Sequence, residues 1–264
     1  MQSGTQTFES AFEQLFSDRR LGSAFVSLED LDVAPDGHPD LSQEEHRVLA
    51  GLRFEKRRRD WLGGRLAAKR AVVKLARLGP LDHVEILPAP TREPQVYSPP
   101  SRLRPDIQVS ISHAGMLAGA VAGRINDGRI GFDMERVATV DPAVYSLAFT
   151  DSEIQAVEAA TAVSRTYTVL ALWTAKEAVT KALGTGLSIC LKDIQLVLPA
   201  GIFEDGWTAE GFEAVFRRNG DECGSRLTIQ SRRIGDYVLS LARLADAWKR
   251  PQGPQGPQGR PSDP

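Results

Sequence analysis

Three short apolar runs follow one another with little between them: IQVSIS from Ile107, LAGAVAG from Leu117 and RIGFDMERV from Arg129. Their length and composition predict strands separated by short turns. Asn126-Asp127-Gly128 has the composition of a tight hairpin turn, which predicts that the second and third strands pair antiparallel. Long runs of helical spacing lie on either side. Ser42-Gln43-Glu44-Glu45 has the pattern of a capping box, and a second, strongly basic helix is expected from about Glu55 to Leu78. Thr150-Asp151-Ser152-Glu153 repeats the capping-box pattern and opens a helical stretch that runs to a glycine stop at Gly184. Strands are expected again from Ile194 to Leu198, around Arg226 to Ile229, and from Tyr237 in YVLSLARL.

The order helix, strand, strand, strand thus occurs twice. It predicts an α+β fold of two pseudo-twofold-related α/β subdomains, each a small, mainly antiparallel sheet packed with a long helix. The join falls near Arg124 to Arg129. The corresponding division is an N-terminal extension over 1–22, subdomains over 23–127 and 128–246, and a tail over 247–264. In the extension, Phe8, Phe12, Leu15 and Phe16 have the spacing of a short amphipathic helix. The tail, from KRPQGPQGPQGRPSDP, is too polar and too rich in Pro and Gly to offset its ordering entropy and is expected to be disordered.

A chain of 264 residues can bury a sizeable core. Its formal net charge of −2 gives no global pull toward nucleic acid or anionic membrane. Cys190 and Cys223 are too few for a disulfide framework or a zinc ribbon and allow at most one bridge, which points to a reducing, cytoplasmic setting. The N-terminus lacks the basic start and apolar core of a secretory signal, and no apolar run approaches the roughly 20 residues that span a bilayer.

Two acids stand out. Asp133 and Glu135 are two apart on an expected strand, so they share a face, while Ile130 and Phe132 alternate against them. On a solvated face their repulsion costs little; otherwise a hard divalent cation would relieve it, since Mg²⁺ uses one or two carboxylates with water and phosphate oxygens. Glu177 is the candidate third acid. Trp173, Glu177 and Lys181 follow at four-residue steps along one helix face, either as a surface ion pair of Glu177 with Lys181 or as groups facing a ligand. Ser112 and His113 end a strand, with Ala114 and Gly115 leaving room beside them for an anionic group. The basic helix around Arg59 is either a solvated face, a nucleic-acid stripe or a source of phosphate ligands.

The succession Ser-His-Ala-Gly, then Gly-Phe-Asp-Met-Glu, then Trp-Thr-Ala-Lys-Glu-Ala-Val-Thr-Lys-Ala-Leu-Gly-Thr-Gly-Leu resembles the monomeric, surfactin-activating type of 4′-phosphopantetheinyl transferase, over about Leu41 to Leu244. The resemblance implies transfer of phosphopantetheine from coenzyme A to a serine of an apo acyl or peptidyl carrier protein, the chemistry of a holo-[acyl-carrier-protein] synthase. It implies Mg²⁺, with Mn²⁺ as a substitute, held by Asp133, Glu135 and Glu177. It makes Glu177 the base for the serine and places Lys181 and Lys176 on the pyrophosphate. Ser112, His113 and Arg59 match positions that contact the 3′-phosphate, and Arg47 lies near another such position. One departure is Arg92-Glu93-Pro94 where the family has Gly-Lys-Pro or Gly-Arg-Pro, so Arg92 is expected to replace the missing base. Fatty acid, polyketide and nonribosomal peptide carriers remain open as partners. The competing readings are a non-catalytic basic-helix module, whose binding would fall steeply with salt and ignore Asp133, and a degenerate homologue that only binds coenzyme A.

Overall fold

A computed structural model describes residues 2–29, 31–33, 37–138, 140–141, 143–185, 189–198, 208–218 and 221–245. The expected disordered tail lies outside the described residues. In chain order the elements are α1 (Gln2–Leu15), β1 (Leu21–Ser27), α2 (Gln43–Ala50), α3 (Glu55–Ala76), β2 (Glu85–Pro88), β3 (Pro94–Tyr97), β4 (Ile107–Ala114) and β5 (Leu117–Arg124). They continue with β6 (Arg129–Arg136), α4 (Ala143–Ala148), α5 (Asp151–Ala159), α6 (Ala162–Leu183), β7 (Ile194–Val197), β8 (Thr208–Arg218), β9 (Asp221–Ile234) and β10 (Tyr237–Leu244). The pairings described are antiparallel, in a sheet of order β1-β5-β4, a sheet of order β6-β10-β9-β8-β7, and the two-stranded β2-β3. The fold is therefore α+β, as expected. No helix among the described residues is long and apolar enough to cross a membrane.

The structure corrects one pairing. The segment Asn126-Asp127-Gly128 does turn the chain, through a single 3-10 turn that closes at Gly128 with φ +96°. However, β5 and β6 do not pair. Both edges of β5 are already taken, by β1 and β4, and β6 pairs with β10 instead. The turn carries the chain from one sheet to the other. The helical stretch opened at Thr150 is also divided, ending at Ala160 and restarting as α6 with Thr161 as its N-cap. β1, β2, β3 and β8 have no counterpart in the sequence expectation.

The two sheets repeat one design in detail. The capping boxes at Ser42 and Thr150 are both formed, with Glu45 and Glu153 accepting from the N-cap N–H. The second oxygen of each glutamate reaches a strand: Ile86 N–H donates to Glu45 and Leu196 N–H to Glu153. Each glutamate is fully buried against a lysine, Lys69 on α3 and Lys176 on α6. These lysines occupy the same position along two 22-residue helices. Each also donates to the carbonyl two residues before the N-cap of the capping box it faces, Asp40 before Ser42 and Ala148 before Thr150. The helices press on their sheets at matching glycines. A Cβ on Gly22 would lie 2.0 Å from the Ala71 carbonyl oxygen, and one on Gly131 would lie 1.9 Å from that of Ala178.

A buried ion pair with one partner removed leaves an uncompensated charge, which costs about 3–5 kcal/mol. Lys69→Met and Lys176→Met should therefore each lower the unfolding free energy by about that amount in urea titrations. A cost below about 1 kcal/mol would assign either lysine to solvent or ligand rather than to the frame.

The remaining core lies where the sheets diverge. Ala120 and Ala122 of β5 face α3, whereas Val121 on the opposite face joins Ile130, Phe132 and Met134 of β6 and Leu239 and Leu241 of β10. The N-terminal helix fills this space. Phe8, Phe12 and Phe16 are buried, and Phe12 and Phe16 meet the Phe132 ring edge-on at 6.2 and 5.5 Å between centroids. Glu13 pairs with Lys74 on α3 at 3.0 Å. The amphipathic helix expected at this end is thus an integral part of the core.

Candidate active site

The site forms where β4 runs beside β6 without backbone pairing to it. An unpaired strand edge presents N–H groups that must find partners when buried. Here β4 supplies side chains at alternate positions. Gln108 Oε1 accepts from Ile130 N–H at 3.0 Å, Ser110 Oγ from Phe132 N–H at 2.8 Å and Ser112 Oγ from Met134 N–H at 3.3 Å. The intervening residues of β4, among them His113, point to the other face and line a cleft. Ser112 in turn donates to Asp133 Oδ1 at 2.7 Å.

Lys181 closes the seam from α6. Its ammonium donates to the carbonyls of Ile111 at 3.2 Å and Phe132 at 3.0 Å and to Asp133 Oδ1 at 2.7 Å. It therefore holds β4, β6 and the buried acid together. The Glu177–Lys181 surface pair considered from spacing is not what forms; Lys181 serves Asp133. The other carboxylate oxygen, Asp133 Oδ2, is buried without a hydrogen-bond partner.

Glu135 and Glu177 are half-buried and electrostatically coupled to Asp133. Burial, reinforced by Asp133 and Glu177 and opposed by Lys181 and a hydrogen bond from Trp173, pushes Glu135 up to about 7. Burial and then Asp133 also raise Glu177, against Lys181. Among the described residues, no three His, Cys, Asp or Glu side chains stand together closely enough to hold a metal ion. Asp133, Glu135 and Glu177 thus form a repelling group rather than a closed cage of three ligands. The donor set still suits a hard cation: Asp133 Oδ2 lacks a partner, its neighbours are strained by repulsion, and Mg²⁺ completes its shell with water and phosphate oxygens.

A cleft linked to this group through Lys181 has a volume of about 900 Å³ and is lined by the start of α3, the β2–β3 turn, β4, Arg129, Lys181 and Gly184; Ser112, Asp133, Glu135 and Glu177 are not among its lining residues. Among its charged wall residues the cations outnumber the acids, Arg57, Arg65, Arg92, Arg104, Arg129 and Lys181 against Asp60 and Glu93, although Arg104 is held by Asp106 at 2.9 Å. Asp60 is already paired with Lys56 at 2.8 Å. Arg65 lies over the Trp61 ring at 4.9 Å, its Nε is buried without a partner, and burial brings its pKa down to about 10, which leaves it charged.

The expected site residues divide accordingly. Ser112, Asp133 and Lys181 are bonded together, Glu135 and Glu177 stand by Asp133, and His113 and Arg92 line the cleft. Arg59 pairs with Glu55 at 2.6 Å, and exposed Arg47 pairs with Glu44; neither is among the residues lining the cleft. Lys176 corrects the expectation of a phosphate contact. Its three protons are spent on Glu153 at 2.7 Å, Ala148 O at 2.9 Å and Leu191 O at 3.0 Å, inside the core. Burial lowers its pKa, with Glu153 opposing. Arg57, Arg65, Arg104 and Arg129 were not singled out from sequence; only their place on the cleft distinguishes them from the other basic residues.

Residues 129–242 match the family model described as the 4′-phosphopantetheinyl transferase superfamily. The matched segment holds Asp133, Glu135, Glu177 and Lys181 and excludes the arginines of α3 and the β2–β3 turn. The crystal structure of Thermotoga maritima holo-[acyl-carrier-protein] synthase is similar at 17% identity and a TM-score of 0.35, over 45% of this chain and 64% of that one. The likeness covers less than two thirds of that protein's length. No curated protein matches the chain.

A carboxyl whose pKa is raised on folding favours the folded state while protonated. That contribution is complete below its unfolded pKa, about 4.3, and is lost as pH rises through the folded value. For Glu135 the loss runs up to about 7. Glu135→Gln should therefore unfold at higher temperature than the metal-free wild type at pH 8, with the gap closing toward pH 4. Equal or lower stability of the variant at pH 8 would contradict the crowded, buried environment assigned to Glu135.

Proposed function

We propose that the chain transfers the 4′-phosphopantetheine group of coenzyme A to a serine of an apo carrier protein, giving holo carrier protein and adenosine 3′,5′-bisphosphate. The observation that carries this reading is the junction of two features: a cationic cleft of nucleotide size, and at its edge a buried acid with one oxygen held by Ser112 and Lys181 and the other without a partner. The match of residues 129–242 to the superfamily supports it. Phosphoryl transfer needs positioning and charge neutralisation more than covalent participation, and the residues present offer both.

In this reading the arginine-lined wall and His113 hold the nucleotide phosphates, and Arg92 stands in for the absent base at position 93. Asp133 and Glu135, with Glu177 beside them, would hold Mg²⁺ or Mn²⁺, whose charge would neutralise the pyrophosphate. Glu177 takes the proton of the carrier serine, directly or through water, and its raised proton affinity suits it to that task. The serine oxygen forms a bond to the β-phosphorus while the bond to the adenosine 3′,5′-bisphosphate oxygen breaks. Lys181, whose three protons go to Ile111 O, Phe132 O and Asp133 Oδ1, lends the leaving group its charge from the cleft wall rather than a hydrogen bond. The partners are acyl or peptidyl carrier domains of fatty acid, polyketide or nonribosomal peptide synthesis, met by a monomeric, cytoplasmic enzyme of two subdomains, 23–127 and 128–246. The segments 1–22 and 247–264 flank them.

Incubation with coenzyme A, Mg²⁺ and an apo carrier protein should add the phosphopantetheine mass to the carrier. Glu177→Gln should cut kcat by about 10²- to 10⁴-fold without loss of thermal stability. No mass shift with acyl, polyketide and peptidyl carriers alike would overturn the reading, and full activity of Glu177→Gln would remove its role as base.

A further inference from the structure

One acid in the cationic cleft is out of keeping with its surroundings. Glu93 sits on the turn between β2 and β3, where Arg92 before it adopts φ +70° and the Glu93 carbonyl accepts from Ala89 N–H at 2.8 Å. Its carboxylate reaches across to the other sheet and meets Arg129 Nη2 at 3.5 Å. Arg129 opens β6, and its Nε is fixed by donation to Ala182 O at 2.7 Å, at the end of the helix that carries Lys181. The space for the contact is kept by Gly184. A Cβ there would fall 2.0 Å from Glu93 Oε1 and 2.7 Å from Arg129 Nη2, and the glycine also has the left-handed φ of +66°.

Arg129 is thus held by one edge against the helix end and shows the other edge to the cleft, where the group bonded to it among the described residues is a carboxylate. Glu93 and Arg129 are 39% and 34% exposed, and the pair is long, so it is weak and open to exchange. An incoming phosphate can offer Arg129 the same oxygens at higher charge and in bidentate geometry. A ligand of low charge cannot repay the separation of the pair.

We propose that Glu93 is a resident anion that competes with phosphate groups for Arg129, so that the pair sets a threshold for ligand charge and makes Arg129 a specificity-determining residue of the cleft. This rests on the reading of the cleft as a phosphate site, but not on which nucleotide it takes. When a pyrophosphate group occupies Arg129, Glu93 is released to solvent, and the contact between the β2–β3 turn and β6 opens on that side. A monophosphate leaves it closed.

The test is calorimetric titration of the full chain at low salt with inorganic pyrophosphate and, separately, with inorganic phosphate and coenzyme A. Glu93→Gln should tighten pyrophosphate binding by about two- to fivefold, the size of one exposed ion pair. Phosphate should gain more than pyrophosphate in that variant. Arg129→Gln should weaken pyrophosphate, and adding Glu93→Gln to it should then bring no further gain. Unchanged or weaker pyrophosphate binding in Glu93→Gln, the same gain with and without Arg129, or no pyrophosphate binding to either protein would each overturn the proposal. If pyrophosphate behaves as described while coenzyme A fails to bind, the Glu93–Arg129 competition stands and the assignment of the nucleotide falls.

Discussion

The contact on which the structure turns is the polar seam between β4 and β6. Two sheets that each end in a strand edge could have paired through their backbones into one continuous sheet. Instead Gln108, Ser110 and Ser112 supply acceptors to the β6 N–H groups, and Lys181 supplies donors to the carbonyls of Ile111 and Phe132. Side-chain bonding keeps the strands far enough apart for Asp133 to point into the seam. It also ties the acid to the position of both sheets. The same ammonium that joins the sheets compensates the buried charge, so assembly and electrostatics rest on one residue. A seam of this kind leaves no apolar substitute for its members: removing a hydroxyl or the lysine strands buried partners that water does not reach.

Around the seam the two sheets repeat a common frame, and the two copies differ in the charges placed on it. The buried pairs Lys69–Glu45 and Lys176–Glu153 place α3 and α6 in register, with Gly22 answering to Gly131. Counted from these landmarks, Asp133 and Glu135 correspond to Ala24 and Val26 of β1, Glu177 to Arg70, and Lys181 to Lys74. The first copy thus carries apolar and basic residues where the second carries acids. Lys74, lacking a strand acid, pairs with Glu13 of α1 instead. The basic copy lines much of the cleft and the acidic copy stands at its edge, an asymmetry suited to holding a polyanion on one side and a cation on the other.

Much of this was legible in the chain. The capping boxes, the α+β order, the repetition and the acid pair on an apolar strand all follow from local rules, because caps and side-chain alternation are decided by near neighbours. What failed was decided at a distance. Asn126-Asp127-Gly128 specifies a turn, but not which strand the chain pairs with after it. Lys176 and Lys181 look alike in a motif, yet Lys176 falls among Leu172, Ala175 and Val179 on the buried stripe and needs Glu153, far back in sequence, to be tolerated there. The stripe itself was a visible warning. The alternation Gln108-Ser110-Ser112 against Val109 and Ile111 likewise marked a strand with a polar partner on one face. Nothing local distinguished Arg129 or Arg65 from the many solvated arginines, since only the cleft gathers them.

The proposed function requires that Asp133, held on one oxygen by Ser112 and Lys181, keep its other oxygen for a divalent ion that arrives with the nucleotide. Calorimetric titration of Mg²⁺ into the protein saturated with coenzyme A, for wild type and Asp133→Asn, tests it most directly. Binding in the wild type should depend on coenzyme A and vanish in Asp133→Asn while the variant still unfolds cooperatively. Equal Mg²⁺ binding by both proteins would contradict it.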